Sequence, residues 1–368
     1  MKKILHMTPP IVNNGVYKYI FSNLKYIDKS QYEFAFLTQA NADLKATEEY
    51  KKYGFHIHNF TTTQREDPKK FRQEIADILS SGYDVLQLHT SFWRGFLIEE
   101  IAMEVGVPKV IVHSHSSAID IANPEKRAQM YEEHMRFKAA FDASYATDFW
   151  ACSTLAADWL YGEQIPRDEI KIMRNAIEVE RFVYNADVRA QCRKELGIEG
   201  KFVIGNTCRF EYQKNHEFLV RVFAEVHKKH PDTMLLLVGG GQKLSLIKKM
   251  VKELGIESAV RFLGWRDDIE KIYQAIDLYC LPSLFEGLPI VLVEAQTAGL
   301  PCIASSTITR EAKITDHVRY VDLEEADWIN AIEDCMGGYH RKDTLHDVKS
   351  SGFDIREQIR IIEAEYAR

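Results

Sequence analysis

Two glutamates in the second half of the chain stand where a ligand rich in hydroxyl groups could bind. Glu286 ends a short apolar run, and Gly287, Leu288 and Pro289 lead from it into a helical pattern that contains Glu294. The free N–H groups at such a helix start attract an anion such as a diphosphate. Because helical side chains tilt toward the N-terminus, we expect both carboxylates to reach one ligand, where they would accept hydrogen bonds from the paired hydroxyls of ribose or a hexose. Taken alone, Glu294 would more simply be a first-turn charge that the helix dipole stabilises.

Two cations follow an earlier predicted strand. The segment from Gly205 to His216 lies between an apolar run and a helical pattern, and it contains Arg209 and Lys214. A leaving diphosphate gains negative charge in the transition state, so two fixed cations would stabilise its departure. Without other context, an Arg and a Lys at this spacing are most often surface charges.

These two segments together resemble one known family. The spacing of Glu286 and Glu294, within Pro-Ser-Leu-Phe-Glu-Gly-Leu-Pro, resembles the E-x7-E motif of the retaining glycosyltransferases of family 4, which have the GT-B fold. The segment with Arg209 and Lys214 resembles the Gly-Arg-Leu…Lys-Asn segment of the same family. The resemblance implies that Glu294 binds the donor ribose and that Glu286 contacts the donor sugar near the reacting centre. It also implies that Arg209 and Lys214 hold the donor diphosphate.

The first half of the chain contains three loops of interest. The family has two glycines after the first strand, close to the phosphate and the acceptor; Gly15 matches one of them, and Asn14, which tolerates positive φ better than most residues, replaces the other. His115 follows a predicted strand at the place where the family often has a histidine that faces the donor sugar. His113 and His115 could also suggest a metal pair, but the sequence shows no convincing set of further ligands. For these two, and for His89 at another strand end, the alternative is a hydrogen-bonded scaffold histidine.

Other segments are glycine-rich. Gly264 and Trp265 resemble a family loop that presents backbone groups to the base, and the ring of Trp265 would either pack near that base or cover the core. The run 239–241 fails as a dinucleotide fingerprint, because the G-x-G-x-x-G order and a suitably spaced acidic residue are missing. Ala176 stands where the family's interdomain turn has glycine, which is a departure from the pattern.

The elements that would position these residues form two series. Short apolar runs alternate with longer helical patterns, which is typical of parallel α/β sheets. We therefore predict an α/β protein of the GT-B type, with two Rossmann-like doubly wound domains facing across a cleft. The predicted domains are an acceptor-binding domain (1–180), a nucleotide-sugar-binding domain (181–350) and a C-terminal helix (351–368) that crosses back to the first domain. Ligands of such folds bind beyond the carboxyl ends of the strands.

Composition narrows the function class. The 368 residues carry a net charge of −7, so a general nucleic-acid binder is not expected. The six cysteines include no Cys-x-x-Cys pair, which favours reduced thiols in a cytosolic protein. No apolar run approaches the length of about 20 residues that a membrane helix needs. We expect a cytoplasmic protein that contacts the inner face of the plasma membrane only peripherally, if at all.

The resemblance implies a hexose or N-acetylhexosamine transferase that acts in bacterial capsular or exopolysaccharide synthesis. The donor would be a UDP-sugar and the acceptor a glycan or a lipid-linked glycan, with no cofactor beyond that donor. No Asp-x-Asp occurs in the chain, so we expect the cations and the helix N-terminus to replace a divalent metal. Two alternatives remain open: an inactive glycosyltransferase-like partner or chaperone subunit, and a UDP-sugar 2-epimerase.

Overall fold

The computed structural model describes residues 1–8, 15–39 and 54–368. The chain divides into two compact units, which comprise Met1–Ile119, Asn123–Arg174 and Arg356–Arg368 in the first, and Asp120–Ala122 and Asn175–Ile355 in the second. The second segment of the first unit ends at Arg174, before the domain boundary predicted at residue 180. Ile177 already belongs to the second unit, where it pairs with Asp354. Asn14 lies outside the described residues.

The first unit contains a parallel sheet of seven strands in the order β3-β2-β1-β4-β5-β6-β7. The strands are β1 (Lys2–Met7), β2 (Tyr32–Gln39), β3 (His56–Phe60), β4 (Val85–Thr90), β5 (Lys109–Ser114), β6 (Asp148–Ala151) and β7 (Ile170–Ile172). Its helices are α1 (Gly15–Tyr26), α2 (Pro68–Leu79), α3 (Leu97–Glu104), α4 (Pro124–Ala140), α5 (Thr154–Leu160) and the C-terminal α14, which begins at Ile355 and ends at Ala367.

The second unit contains a parallel sheet of six strands in the order β10-β9-β8-β11-β12-β13. The strands are β8 (Phe202–Asn206), β9 (Thr233–Val238), β10 (Val260–Gly264), β11 (Leu278–Leu281), β12 (Cys302–Ser305) and β13 (Val318–Val321). The helices are α6 (Val179–Phe182), α7 (Ala186–Leu196), α8 (His216–Lys229), α9 (Leu244–Glu253), α10 (Ile269–Ala275), α11 (Ile290–Thr297), α12 (Glu325–Cys335) and α13 (Leu345–Ser350).

Local sequence accounts for several helix ends. The Asp67 carboxylate accepts a hydrogen bond from the N–H of Lys70, and Pro68 occupies the first turn of α2, where its missing N–H costs nothing. Asn185 caps α7 in the same way. The helix ends at Gly197, whose φ of 62° is a left-handed conformation that glycine adopts without strain.

Helix α14 packs on the sheet of the first unit. Ile359, Ile362 and Tyr366 are buried in the same apolar cluster as residues of β1 and β2. The side chain of Lys2 donates a hydrogen bond to the carbonyl of Tyr366 at 2.8 Å. The last helix is therefore an integral part of the first unit.

Each sheet has one point at which the strand order reverses. In the first sheet it lies between β1 and β4, and in the second between β8 and β11. The loops beyond the carboxyl ends of such strand pairs are where open α/β sheets bind their ligands. The segments that carry Arg209, Lys214 and Glu286 follow β8 and β11, so the topology gathers them at the reversal point of the second sheet.

Within the part of the chain that the structure describes, no helix combines the length and the apolar character needed to cross a membrane.

Candidate active site

A buried ion pair joins the two loops at the reversal point of the second sheet. Lys214, at the end of a short 3-10 turn after β8, donates to Glu286 in the loop after β11, with Nζ and Oε1 2.5 Å apart. Their side chains are 13% and 7% exposed. The structure thus brings together two of the predicted residues that lie far apart in the sequence.

Gln213, which the sequence analysis did not single out, completes this arrangement. Its Nε2 donates to the other oxygen of Glu286 at 3.0 Å and to the carbonyl of Phe285 at 2.8 Å. Its own carbonyl accepts from the N–H of Leu284 at 2.8 Å. Each carboxylate oxygen of Glu286 therefore has a donor, which fixes the orientation of the carboxylate.

The protonation of Lys214 follows from two opposed effects. Burial by itself would lower the pKa of the Lys214 ammonium, but the negative charge of Glu286 outweighs that effect and raises the pKa above its usual value. Lys214 is therefore a fixed cation at every physiological pH. A fixed buried cation suits a site that receives a phosphate group.

Arg209 is a second cation in the same loop. It is partly buried, and its positive charge acts on Lys214. Across residues 1–8, 15–39 and 54–368, no hydrogen bond or ion pair engages its guanidinium. It can therefore form a two-pronged contact with an anion without first breaking a contact to any of the described residues.

Glu294 is held one turn into α11. Tyr273 donates its hydroxyl hydrogen bond to Glu294 Oε2 at 2.7 Å, and the same hydroxyl lies 2.6 Å from the hydroxyl of Thr207. Glu294 is 5% exposed. Burial, followed by the charge of Glu294, raises the pKa of Tyr273 well above its ordinary value, so the phenol remains a donor. The hydrogen bond from Tyr273 thus orients one carboxylate oxygen of Glu294, and we expect the other oxygen to bind the ligand.

Gly287 and Leu288, in the turn between Glu286 and Glu294, are buried. The carbonyl of Leu288 accepts a hydrogen bond from the side chain of Asn175 at 3.1 Å. Helix α11 begins at Ile290 without a side-chain cap at its start. An uncapped helix N-terminus offers backbone N–H groups and the positive end of its dipole to an anion.

The glycine run 239–241 after β9 lets two loops touch. A Cβ atom on Gly239 would lie 2.4 Å from the carbonyl oxygen of Cys208, and Gly239 also has a φ of 132°. The N–H of Phe210 donates to the carbonyl of Gly240 at 2.9 Å. Only glycine allows this approach, which positions the loop that carries Arg209.

Gly264 and Trp265 stand beside that glycine run. The carbonyl of Gly264 accepts from the N–H of Gly239 at 2.8 Å. Trp265 is 54% exposed, and its indole nitrogen would lie 2.6 Å from a Cβ atom on Gly240. One part of the Trp265 ring therefore covers the buried Gly240, while much of the side chain stays exposed. A large exposed aromatic face is available to a flat ligand.

His115 and Gly15 belong to the first unit. His115 follows β5, and its Nε2 lies 2.8 Å from Nδ1 of His89, which in turn lies 3.0 Å from His6 through its other nitrogen. Burial lowers the pKa of His115 to about 3, so the imidazole is neutral at physiological pH. Gly15 is the first residue of α1, and a Cβ atom there would meet nothing within 4 Å. Side-chain crowding among the described residues does not require glycine at this position.

Three contacts were missed in the sequence. Gln213 is next to Lys214 and carried no signal of its own. The Tyr273 contact with Glu294 depends on the packing of α10 beside α11. The histidines His6 and His89 both end strands, but only the strand order reveals that they are neighbours.

Comparisons with known proteins agree with this geometry. The family model for glycosyl transferases group 1 matches residues 188–331. EpsF of Bacillus subtilis (strain 168), which is named as a glycosyltransferase, is 30% identical over 315 residues, covering 84% of this chain and 80% of EpsF. The UDP-Gal:alpha-D-GlcNAc-diphosphoundecaprenol alpha-1,3-galactosyltransferase of Escherichia coli is 27% identical over 228 residues, 61% of this chain and 58% of that protein.

The solved structures agree on the fold. Alr3699/HepE of Anabaena, in complex with UDP, superposes with a TM-score of 0.76 at 17% identity, over 100% of both chains. The glycosyltransferase WaaG superposes with a TM-score of 0.71 at 16% identity, over 99% of both chains. The predicted GT-B fold is thus confirmed, as is the prediction of a transferase, and the chain belongs to the group 1 glycosyltransferases.

Proposed function

We propose that this glycosyltransferase moves a hexose or N-acetylhexosamine from a UDP-sugar to a glycan or lipid-linked acceptor, with retention of anomeric configuration and without a divalent metal. The observation that carries the proposal is the buried pair of Lys214 and Glu286 in the same unit as Arg209, whose guanidinium has no partner among the described residues. In this set, the carboxylate of Glu286 suits sugar hydroxyls, whereas the cations Arg209 and Lys214 suit a diphosphate.

The diphosphate is assigned to the cations. Arg209 and Lys214 lie in one loop, and the uncapped start of α11 lies in the second unit with them. Positive charge aimed at a leaving diphosphate lowers the barrier because it stabilises the charge that develops. These groups can supply the stabilisation that a divalent cation provides in other transferases.

The sugars are assigned to the two glutamates. Glu286, oriented by Lys214 and Gln213, would accept hydrogen bonds from hydroxyls of the donor hexose. Glu294, oriented by Tyr273, would accept from the ribose hydroxyls. Gly287 and Leu288, in the turn between them, would contribute backbone N–H groups to the phosphate, and Gly264 and Trp265 would contact the base.

The reaction we infer is a same-face displacement. The bond from the anomeric carbon to the phosphate oxygen breaks, the acceptor oxygen bonds to that carbon, and the acceptor's proton passes to the departing diphosphate. Glu286 is poorly suited to be a nucleophile, because both of its oxygens already accept hydrogen bonds, one of them from a cation. The neutral imidazole of His115 would donate or accept a hydrogen bond at the donor sugar, as the family resemblance implies.

The relatives support the choice of donor and acceptor. The Anabaena structures include complexes with UDP and with UDP-glucose. The name of the Escherichia coli relative specifies UDP-Gal and a diphosphoundecaprenol-linked acceptor. A donor domain of the same family and a lipid-linked glycan acceptor fit a cytoplasmic enzyme of bacterial surface polysaccharide synthesis that works at the inner face of the membrane.

Ligand-induced stabilisation tests the donor site. We would record thermal unfolding with UDP, GDP, ADP and a panel of UDP-sugars in the presence of EDTA. A ligand at one hundred times its Kd stabilises the folded state by about 2.7 kcal/mol, which is a rise in Tm of roughly 5–10 °C for a domain of this size. We expect that rise with UDP and the correct UDP-sugar only.

Two variants decide where the nucleotide binds. Arg209→Ala and Glu294→Gln should each abolish most of the rise, whereas Lys271→Ala, which removes an exposed cation of the same unit, should leave it unchanged. If no nucleotide stabilises the wild type, the inactive-partner alternative replaces the proposal. Isomerisation of the UDP-sugar without any acceptor would instead indicate the epimerase.

A further inference from the structure

Four histidines converge at the reversal point of the first sheet. His6 lies near the end of β1, His89 near the end of β4, and His113 and His115 at and just after the end of β5. His89 and His113 are direct partners in the sheet register. Because β1, β4 and β5 are adjacent parallel strands, their carboxyl ends bring the imidazoles to one place.

Three of these imidazoles can share one ion. His89, His113 and His115 each offer one ring nitrogen such that the three atoms lie within 4.8 Å of one another. Zn–N bonds of about 2.0–2.1 Å with tetrahedral angles require nitrogens about 3.3 Å apart. An ion bound by all three would draw the nitrogens to that spacing.

One of the three already has the second contact that a metal-bound histidine needs, and another gains it by rotation of a neighbouring amide. Nε2 of His89 lies 3.0 Å from Nδ1 of His6. Nδ1 of His113 lies 3.2 Å from the amide nitrogen of Gln87, which can only donate; a metal at Nε2 of His113 therefore needs this amide rotated so that its oxygen accepts from Nδ1–H. Such partners at the second ring nitrogen fix the ring orientation and leave the first nitrogen for the metal.

His113 has one ring nitrogen without a hydrogen-bond partner in the described part of the chain. His113 is fully buried, and its Nε2 has no hydrogen-bond partner among the residues that the structure describes. A buried nitrogen without a partner is costly and calls for an explanation. A metal ion held with the neighbouring ring of His115, whose centroid is 4.0 Å from that of His113, would satisfy it.

We propose that His89, His113 and His115 form a binding site for a divalent transition-metal ion, Zn²⁺ above all, with the fourth position open to hydroxide or another anion. A set of three neutral nitrogen ligands selects Zn²⁺ and its neighbours rather than Mg²⁺ or Ca²⁺, which prefer oxygen.

The site has a consequence for transfer that rests on the proposed function. His115 cannot contact a donor sugar through the nitrogen that binds the metal, so Zn²⁺ should inhibit the enzyme. Binding is measured without substrate, and for this reason the metal site and the transferase mechanism can fail independently.

The test uses the full chain without a histidine tag, stripped of metal. We would titrate it with Co²⁺, follow the visible absorption of the bound ion, and displace the Co²⁺ with Zn²⁺ in a calorimeter. We expect one equivalent of each ion, tetrahedral Co²⁺ absorption, and complete displacement by Zn²⁺. Gln87→Leu should weaken Zn²⁺ binding about 10–100-fold, the range typical of lost second contacts.

Ligand and control variants complete the test. His113→Ala and the less buried His115→Ala should each weaken Zn²⁺ binding more than 100-fold, with folding checked by circular dichroism. The double variant His56→Ala/His58→Ala removes another close histidine pair of the same unit, on β3, and should bind Zn²⁺ like the wild type. The proposal is overturned if the wild type binds no equivalent of Zn²⁺, if folded His115→Ala binds as tightly as the wild type, or if the β3 double variant abolishes binding.

Discussion

Replacing Lys214 by methionine should destabilise the second unit and abolish donor binding through one change. With Nζ and Oε1 2.5 Å apart and side chains 13% and 7% exposed, the pair has a gross Coulomb energy of about 7 kcal/mol at an effective dielectric of 20. Most of that energy offsets the desolvation of the two charges. Removing Lys214 leaves the Glu286 charge buried without this cation, and such changes cost about 3–5 kcal/mol.

The double variant Lys214→Met/Glu286→Gln separates stability from function. Because it removes both charges, it should recover more than half of the stability lost in Lys214→Met, as measured by thermal unfolding followed by circular dichroism. Binding of UDP, measured by calorimetry, should not recover, since the cation that holds the diphosphate remains absent. Lys243→Met, which breaks a more exposed ion pair with Glu217, serves as the control and should cause a smaller loss of stability.

One result would refute this reasoning. If Lys214→Met unfolds at the wild-type temperature and binds UDP normally, the pair is neither a stabilising contact nor part of the donor site. If the double variant binds UDP like the wild type, the cation is not required, and the diphosphate must be assigned to Arg209 and the helix start alone.

Three further predictions concern the same unit. Arg209→Ala should lower the rate of transfer about 10²–10³-fold, the cost of losing one group that stabilises developing charge. Its Tm should change little, because the guanidinium has no partner among the described residues. A large loss of stability with normal turnover would contradict the role of Arg209 in transfer. Trp265→Ala should weaken UDP binding without destabilising the protein, because the side chain is 54% exposed, and equal affinities in calorimetry would remove the ring from the base site. The folded protein raises the pKa of Lys214, so the charged lysine stabilises the fold. This stabilisation is fully present below the ordinary lysine pKa of about 10.4 and is lost as the pH rises through the higher pKa of the folded state. Unfolding curves recorded against pH should show this alkaline loss of stability in the wild type and not in Lys214→Met.

Much of the fold was predictable because the strands are short, apolar and separated by helical patterns. The short apolar runs Lys3–Met7, Asp84–His89 and Met234–Val238 of the sequence all correspond to strands, within a residue or two of the strand bounds. Strand β13 lacks this signal, since Val318–Val321 is brief and alternates buried with more exposed residues at the sheet edge. Element existence therefore follows from local pattern, whereas an edge strand needs its neighbour to be recognised.

The candidate site was predictable where the chemistry lies in one segment. Glu286, Glu294, Arg209 and Lys214 were expected because each stands in a loop or helix that directly follows a strand. The direct bond between Lys214 and Glu286 was not expected, since it depends on β8 and β11 being neighbours in the sheet. Strand order is set by the packing of the whole unit, which local sequence does not determine.

The histidine cluster shows the same limit more sharply. No pair of His6, His89 and His113 is close in sequence, and spacing alone gave no convincing metal set. The sheet order makes them neighbours. Constellations assembled from several strands become visible only when the topology is known.

The most direct test of the central claim is release of UDP from UDP-sugars in the presence of EDTA. The purified chain would be incubated with a panel of UDP-hexoses and UDP-N-acetylhexosamines, and free UDP would be measured over time beside Glu286→Gln. We predict that one donor yields UDP without added metal and that Glu286→Gln lowers the rate at least 100-fold while the fold is retained. Release that requires Mg²⁺, or a Glu286→Gln rate equal to that of the wild type, would contradict the account.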